Sequence, residues 1–175
     1  MWRRRGRFRN CCTGRRSVCT PARTSSGRIG ARSRTSSRSP PGFADGLGFG
    51  DNAKAALVTR ALAEMRRLGV ACGAQPETFS GLSGLGDLVV TCFSSLSRNH
   101  TLGERLGRGE RLADILAGSV AVAEGYPTAR AARQLAQRHG VATPVMDEVY
   151  AMLYEGKNPQ QALQDLTRRG SKPED

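Results

Sequence analysis

Residues 51–69 read DNAKAALVTRALAEMRRLG, and this stretch decides the fold. Leu57, Val58, Leu62, Met65 and Leu68 recur at intervals of three and four, the spacing that places side chains on one face of an α-helix. Asp51 or Asn52 supplies a polar cap at the start, and Gly69 marks the end. Working outward, the same grammar repeats. Pro76 and Glu77 suit a first turn, and the run through Phe79, Leu82, Leu85, Leu88, Val89 and Val90 reads as short helices broken at glycines. Further helices are expected from Asn99 to Leu106, Asp114 to Ala117, Thr128 to His139, Pro144 to Tyr154 and Pro159 to Arg168. No alternating strand pattern is found, so the expectation is an all-α body of roughly 130 residues, large enough for its own core.

The chain has 175 residues and a net charge of +12, which raises the question of nucleic acid or anionic lipid as a partner. The charge is local. Residues 1–42 carry 12 arginines, no lysine and no acid, whereas residues 43–175 hold 15 basic and 15 acidic side chains. That leader is rich in Arg, Ser, Thr, Pro and Gly without helical or strand period, so it is expected to be disordered. It also lacks the interleaved aromatics on which single-stranded nucleic acid stacks. The division expected is therefore a basic leader over 1–42 and a helical domain over 43–175. No apolar run is long enough to cross a bilayer. Cys72 and Cys92 have no CxxC or Cys/His spacing, so no metal site and no disulfide framework is expected, which fits a reduced, cytoplasmic protein.

Chemistry concentrates between Gly81 and Gly109, GLSGLGDLVVTCFSSLSRNHTLGERLGRG. Asp87 sits in an apolar stretch and is followed by Ser97, Arg98 and Asn99. An acid, a hydroxyl, a guanidinium and an amide are an inventory for holding a small phosphorylated, hydroxylated compound. Taken singly, each is more often a structural acid or a solvated loop residue. The glycines at 46, 48 and 50 are not spaced as GxGxxG and follow no apolar strand, so they read as a turn before the long helix. His100 and His139 have no partner at useful spacing and read as structural.

The segments DGLGFGDNAKAAL (45–57), GLGDLVVTC (84–92), LSRN (96–99), VAEG (122–125) and LYEGK (153–157) fall in the order of a known family. Over Phe43 to Pro173 the chain resembles the C-terminal, substrate-binding domain of bacterial NAD(P)-dependent sn-glycerol-3-phosphate dehydrogenases. The resemblance implies a helical dehydrogenase C-terminal domain like that of 6-phosphogluconate dehydrogenase. It implies oxidoreduction between sn-glycerol 3-phosphate and dihydroxyacetone phosphate, feeding glycerophospholipid synthesis, with NAD or NADP as cofactor. It assigns substrate binding to Asp87, Ser97, Arg98 and Asn99, with Thr91 a weaker candidate, and cofactor contact to Arg98, Val122 and Glu124. A homodimer is left open. The N-terminal dinucleotide-binding domain of the family has no counterpart in the 175 residues.

The resemblance also implies a catalytic lysine where this chain has Arg34. An arginine stays protonated and cannot cycle a proton, so no catalytic residue is expected intact and the chain alone is expected to be inactive. The family reads approximately GALKNVIAIAAG before Phe43, and the corresponding residues 30–42, GARSRTSSRSPPG, are compatible with that string read one base out of register. The expectation is an out-of-frame leader. Two other readings stay open: an organellar transit peptide, and a standalone helical module whose basic arm binds nucleic acid or anionic membrane. A DNA affinity that falls with salt and vanishes without residues 1–42 belongs to the arm. Resequencing the locus is expected to reveal a one-base shift near codon 42, with Lys-Asn encoded upstream in the other frame; an intact frame throughout contradicts the out-of-frame reading.

Overall fold

The long amphipathic helix is the axis on which the rest is assembled. In the computed structural model, which describes residues 40–118 and 125–168, it runs as α2, Asp51–Ala71. A short helix, α1, precedes it at Pro40–Gly46. After α2 come α3 (Glu77–Ser80), a single π-helical turn at Leu82–Gly86, and α4 (Asp87–Phe93). Then follow α5 (Arg98–Gly107), α6 (Leu112–Ala117), α7 (Gly125–Arg138), α8 (Pro144–Tyr154) and α9 (Pro159–Arg168). Among the described residues every element is helical, as the periodicity required.

The helix ends follow local chemistry with one departure. Neither Asp51 nor Asn52 caps α2: Gly50 occupies the cap position and makes no side-chain cap bond, while Asp51 lies in the first turn, 2.8 Å from Lys54. Its charge complements the helix N-terminus rather than closing an N–H bond. Gly48 turns the chain before it with φ +74, a left-handed conformation that glycine adopts without steric cost. Gly73, Gly109, Gly140 and Gly156 serve in the same way after helices.

A second departure concerns the leader. Pro40, Pro41 and Gly42 are buried within α1, so the helix crosses the division expected between 42 and 43. Prolines are tolerated there because the N–H groups of a first turn have no intrahelical acceptor. Residues 1–39, including Arg34, lie outside the described residues.

α1 lies against α5 in the most extensive helix–helix contact of the structure. The backbones meet directly. A Cβ added to Gly42 would fall on the His100 carbonyl oxygen, and one on Gly46 would fall on that of Glu104. From the other side, a Cβ on Gly107 would come within 2.7 Å of the Phe43 carbonyl oxygen. Phe43, fully buried, then enters a core with Leu102, Leu106, Ile115, Val149 and Leu153. A second core joins Met65 and Leu68 of α2 to Phe79, Leu88, Cys92 and Met146. Cys92 is thus a small buried hydrophobe, and Cys72 is half-buried beside it.

The buried stripe of α2 contains one acid. Glu64, 2% exposed, accepts hydrogen bonds from the backbone N–H groups of Val145 (2.7 Å) and Met146 (3.1 Å). Thr143, at the cap position of α8, makes no side-chain cap bond, and Pro144 has no N–H. Glu64 therefore caps α8 from another helix, satisfying donors that burial would otherwise leave unpaired. Burial pushes its carboxyl from the usual 4.5 up to about 7, against the opposing pull of the two N–H donors.

Because the folded state holds this proton more tightly than the unfolded chain, the contribution is fully present below pH 4.5 and is lost as pH rises towards 7. The loss amounts to about 3 kcal/mol, from about 1.4 kcal/mol per pKa unit. Glu64→Gln removes the titration and one acceptor. Urea unfolding between pH 4.5 and 8 is expected to show the wild-type stability falling relative to that of the variant; parallel curves would contradict the assignment.

Candidate functional site

The expected site residues fall on two adjacent helix starts. Gly81 breaks the helical run after α3, and Gly84 lets the π-turn close on Phe79, whose backbone a Cβ there would strike. α4 then begins with Asp87, which is half-buried. The helix packs on α1, α2 and α5. Thr91 donates its hydroxyl to the Asp87 carbonyl oxygen at 2.7 Å, leaving it only acceptor capacity towards a ligand.

α5 starts after the loop Ser94–Ser97. Ser97 is its N-cap, and its Oγ accepts from the His100 N–H at 3.3 Å. Arg98, the first helical residue, is exposed, while Asn99 behind it is 7% exposed. The Asn99 Oδ1 accepts from the Gly125 N–H at 2.9 Å. Gly125 opens α7 and follows Glu124 directly in the sequence. Asn99 thus ties the first turn of α5 to the start of α7, and its amide N–H₂ is the end suited to a phosphate. Val122 and Glu124 lie outside the described residues. Asp87 stands at the N-terminal end of α4, a helix of about 10 Å at 1.5 Å per residue, so the expected set spans two helix starts.

Beneath α5 runs a chain of polar contacts that local spacing does not reveal. His100, read as structural and without a partner, has Nε2 3.0 Å from Asp45 Oδ2, a residue of α1 brought near by the glycine crossing. The other carboxylate oxygen of Asp45 is 2.8 Å from Lys54 Nζ on α2, and Lys54 also pairs with Asp51 at 2.8 Å. The Lys54 ammonium lies 5.6 Å from the centroid of the Phe93 ring at the end of α4. Hydrogen bonds to Asp45 and then Asp51 hold the Lys54 pKa above the ordinary lysine range, so it stays charged. This chain links α1, α2, α4 and α5 under the site. Glu64 was missed as well, although a signal exists: it lies three residues after Ala61 and four before Leu68, on the buried face.

An exposed guanidinium at the start of a ten-residue helix favours an anion through direct hydrogen bonds and the helix dipole. Among the described residues no three or more His, Cys, Asp or Glu side chains cluster to hold a metal, and no helix is long and apolar enough to cross a membrane.

Comparison with known proteins decides the family. A family model described as the NAD-dependent glycerol-3-phosphate dehydrogenase C-terminus matches residues 41–164. The chain belongs to that family. Among curated relatives, glycerol-3-phosphate dehydrogenase [NAD(P)+] of Syntrophotalea carbinolica is 55% identical over 133 residues, and that of Geobacter sulfurreducens 54%. Each match covers 76% of this chain and 40% of the relative, so the chain spans well under half the length of these dehydrogenases. The solved glycerol-3-phosphate dehydrogenase of Coxiella burnetii superposes with a TM-score of 0.78 at 38% identity, covering 81% of this chain and 43% of that one. A Dunaliella salina structure, at 17% identity and TM-score 0.67, shares the fold.

The relatives' names carry NAD(P)+. Among the described residues no strand leads through a glycine loop into a helix, the arrangement that cradles a dinucleotide pyrophosphate. The described part of this family member thus offers no complete fit for the cofactor.

Proposed function

We propose that this chain is the substrate-holding part of an NAD(P)-dependent glycerol-3-phosphate dehydrogenase, acting in the cytoplasm on sn-glycerol 3-phosphate and dihydroxyacetone phosphate for glycerophospholipid supply. The observation that carries the reading is the start of α5. Arg98 is presented to solvent at a capped helix N-terminus, and Asn99 is pinned from behind by the bond to Gly125.

In this reading Arg98 grips the substrate phosphate, with the Ser97 hydroxyl and the Asn99 amide supplying further donors. Asp87, as an acceptor, orients the substrate hydroxyls. Arg98 also reaches the cofactor, together with Val122 and Glu124. When bound, a nicotinamide dinucleotide supplies the hydride transfer at C2. A developing alkoxide needs a proton donor that cycles near neutral pH. The resemblance puts Arg34 at that position, and an arginine holds its proton too tightly. The chain, divided into a leader and a helical body, therefore binds without turnover.

Titrating the chain with sn-glycerol 3-phosphate is expected to shift the backbone amide NMR signals of residues 97–99 and to produce no NADH or NADPH with the oxidised cofactor. Arg98→Ala should weaken binding by about 10- to 100-fold, from the ~1.5–3 kcal/mol of a hydrogen bond to a charged group. Absence of any shift at residues 97–99 contradicts the binding role, and turnover contradicts the loss of activity.

A further inference from the structure

Asp45 puts a carboxylate where the proposed function needs positive potential. Its Oδ2 lies 3.0 Å from His100 Nε2, in the first turn of α5, yet neither imidazole nitrogen makes a directed hydrogen bond among the described residues. Across that gap Asp45 acts on α5 through its charge. His100 follows Arg98 by two residues, a rise of about 3 Å, so an anion held at the start of α5 lies on the order of 10 Å from the carboxylate. At a partly buried site, a unit charge at that distance changes the affinity for another by roughly three- to tenfold.

Lys54 is placed to cancel this charge. Its Nζ is 2.8 Å from Asp45 Oδ1, and the two side chains are only 14% and 26% exposed, so water shields the pair weakly. The second partner of Lys54, Asp51, is 89% exposed, where water screens its charge. Hydrogen bonds to Asp45 and Asp51 keep the ammonium protonated, and it sits 5.6 Å from the centroid of the Phe93 ring, at the end of the helix that Asp87 begins. Acids on and just after α5 are matched locally, Glu104 by Arg108 and Glu110 by Arg105. Asp45 instead depends on a cation supplied by α2.

We infer that Lys54 is an affinity-determining residue for the phosphate group: by neutralising Asp45 it keeps the start of α5 electropositive. It works through Asp45 and is a positioning residue in the electrostatic sense, not a ligand contact. The inference rests on the proposed function for the identity of the anion, but not for the potential at residues 97–99. It also sets a substrate class, because a doubly charged phosphate gains more from that potential than a singly charged carboxylate does.

The test uses the full 175-residue chain. Cationic and anionic nitroxide co-solutes, through their relaxation of the amide NMR signals of residues 97–99, read the local potential without any ligand, and calorimetry reads the affinity for sn-glycerol 3-phosphate. Lys54→Met is expected to make the potential more negative and to weaken binding by about three- to tenfold, with Lys54→Arg close to wild type. Asp45→Asn is expected to do the reverse and tighten binding by a similar factor, whereas loss of a merely structural tie between α1 and α2 would weaken it. The double variant Lys54→Met with Asp45→Asn returns near wild type, and the differences shrink in about 1 M salt, where the Debye length is about 3 Å. If Lys54→Met does not fold, Asp45→Asn decides the matter by its sign. An unchanged potential in folded Lys54→Met, or an Asp45→Asn chain whose potential does not become more positive, would overturn the inference. So would a double variant that binds no better than Lys54→Met alone. If the wild-type chain binds no glycerol phosphate, or Arg98→Ala leaves its affinity unchanged, the proposed function falls, and the potential at residues 97–99 still decides the role of Lys54.

Discussion

Two helix backbones in contact set the frame of this domain. Gly42 and Gly46 on α1 meet the carbonyl oxygens of His100 and Glu104 on α5, and Gly107 returns the contact towards Phe43. Side chains ordinarily hold helix axes 8–10 Å apart, and glycine at the crossing removes that spacer. The approach places Phe43 within the first core and Asp45 against His100. It also fixes the first turn of α5, where Ser97, Arg98 and Asn99 lie. Remote packing thereby becomes site geometry.

Around that crossing, several buried polar groups are paired across helices. Glu64 of α2 supplies the cap that α8 lacks, Asn99 of α5 holds the first N–H of α7, and Tyr154 of α8 donates to the Tyr126 carbonyl oxygen of α7 at 2.7 Å. Lys157, in the loop after α8, bridges Glu148 at 2.6 Å and Asp165 at 2.7 Å, joining α8 to α9. Each such bond removes the cost of a polar group taken out of water and at the same time fixes the register of two helices.

The helices were legible because their apolar positions keep a 3.6-residue period and their ends carry proline and glycine. Pro144–Tyr154 and Pro159–Arg168 agree with expectation, and α5 differs from Asn99–Leu106 by one residue at each end. The family could be read from motifs whose order no single helix explains. What escaped was long-range. α1 was hidden because Pro-Pro-Gly carries no helical signature, and the glycines at 42 and 46 show their use only beside α5. Asp45 and His100 are 55 positions apart and meet through the fold. Asp51 resembled a cap and acts through charge, since the backbone places Gly50 at the cap position.

The glycine crossing yields a prediction opposite in sign to local propensity. In a free helix, Gly→Ala is favourable by about 1 kcal/mol. At Gly46, where a methyl group would press on the Glu104 carbonyl oxygen, overpacking of about 1–3 kcal/mol or more is expected to outweigh that gain. The measurement is urea unfolding of Gly46→Ala beside Gly50→Ala, whose added Cβ meets nothing within 4 Å. The account predicts a clear loss of stability for Gly46→Ala and little change for Gly50→Ala. A Gly46→Ala protein as stable as wild type, or more so, would contradict the claim that this contact sets the fold.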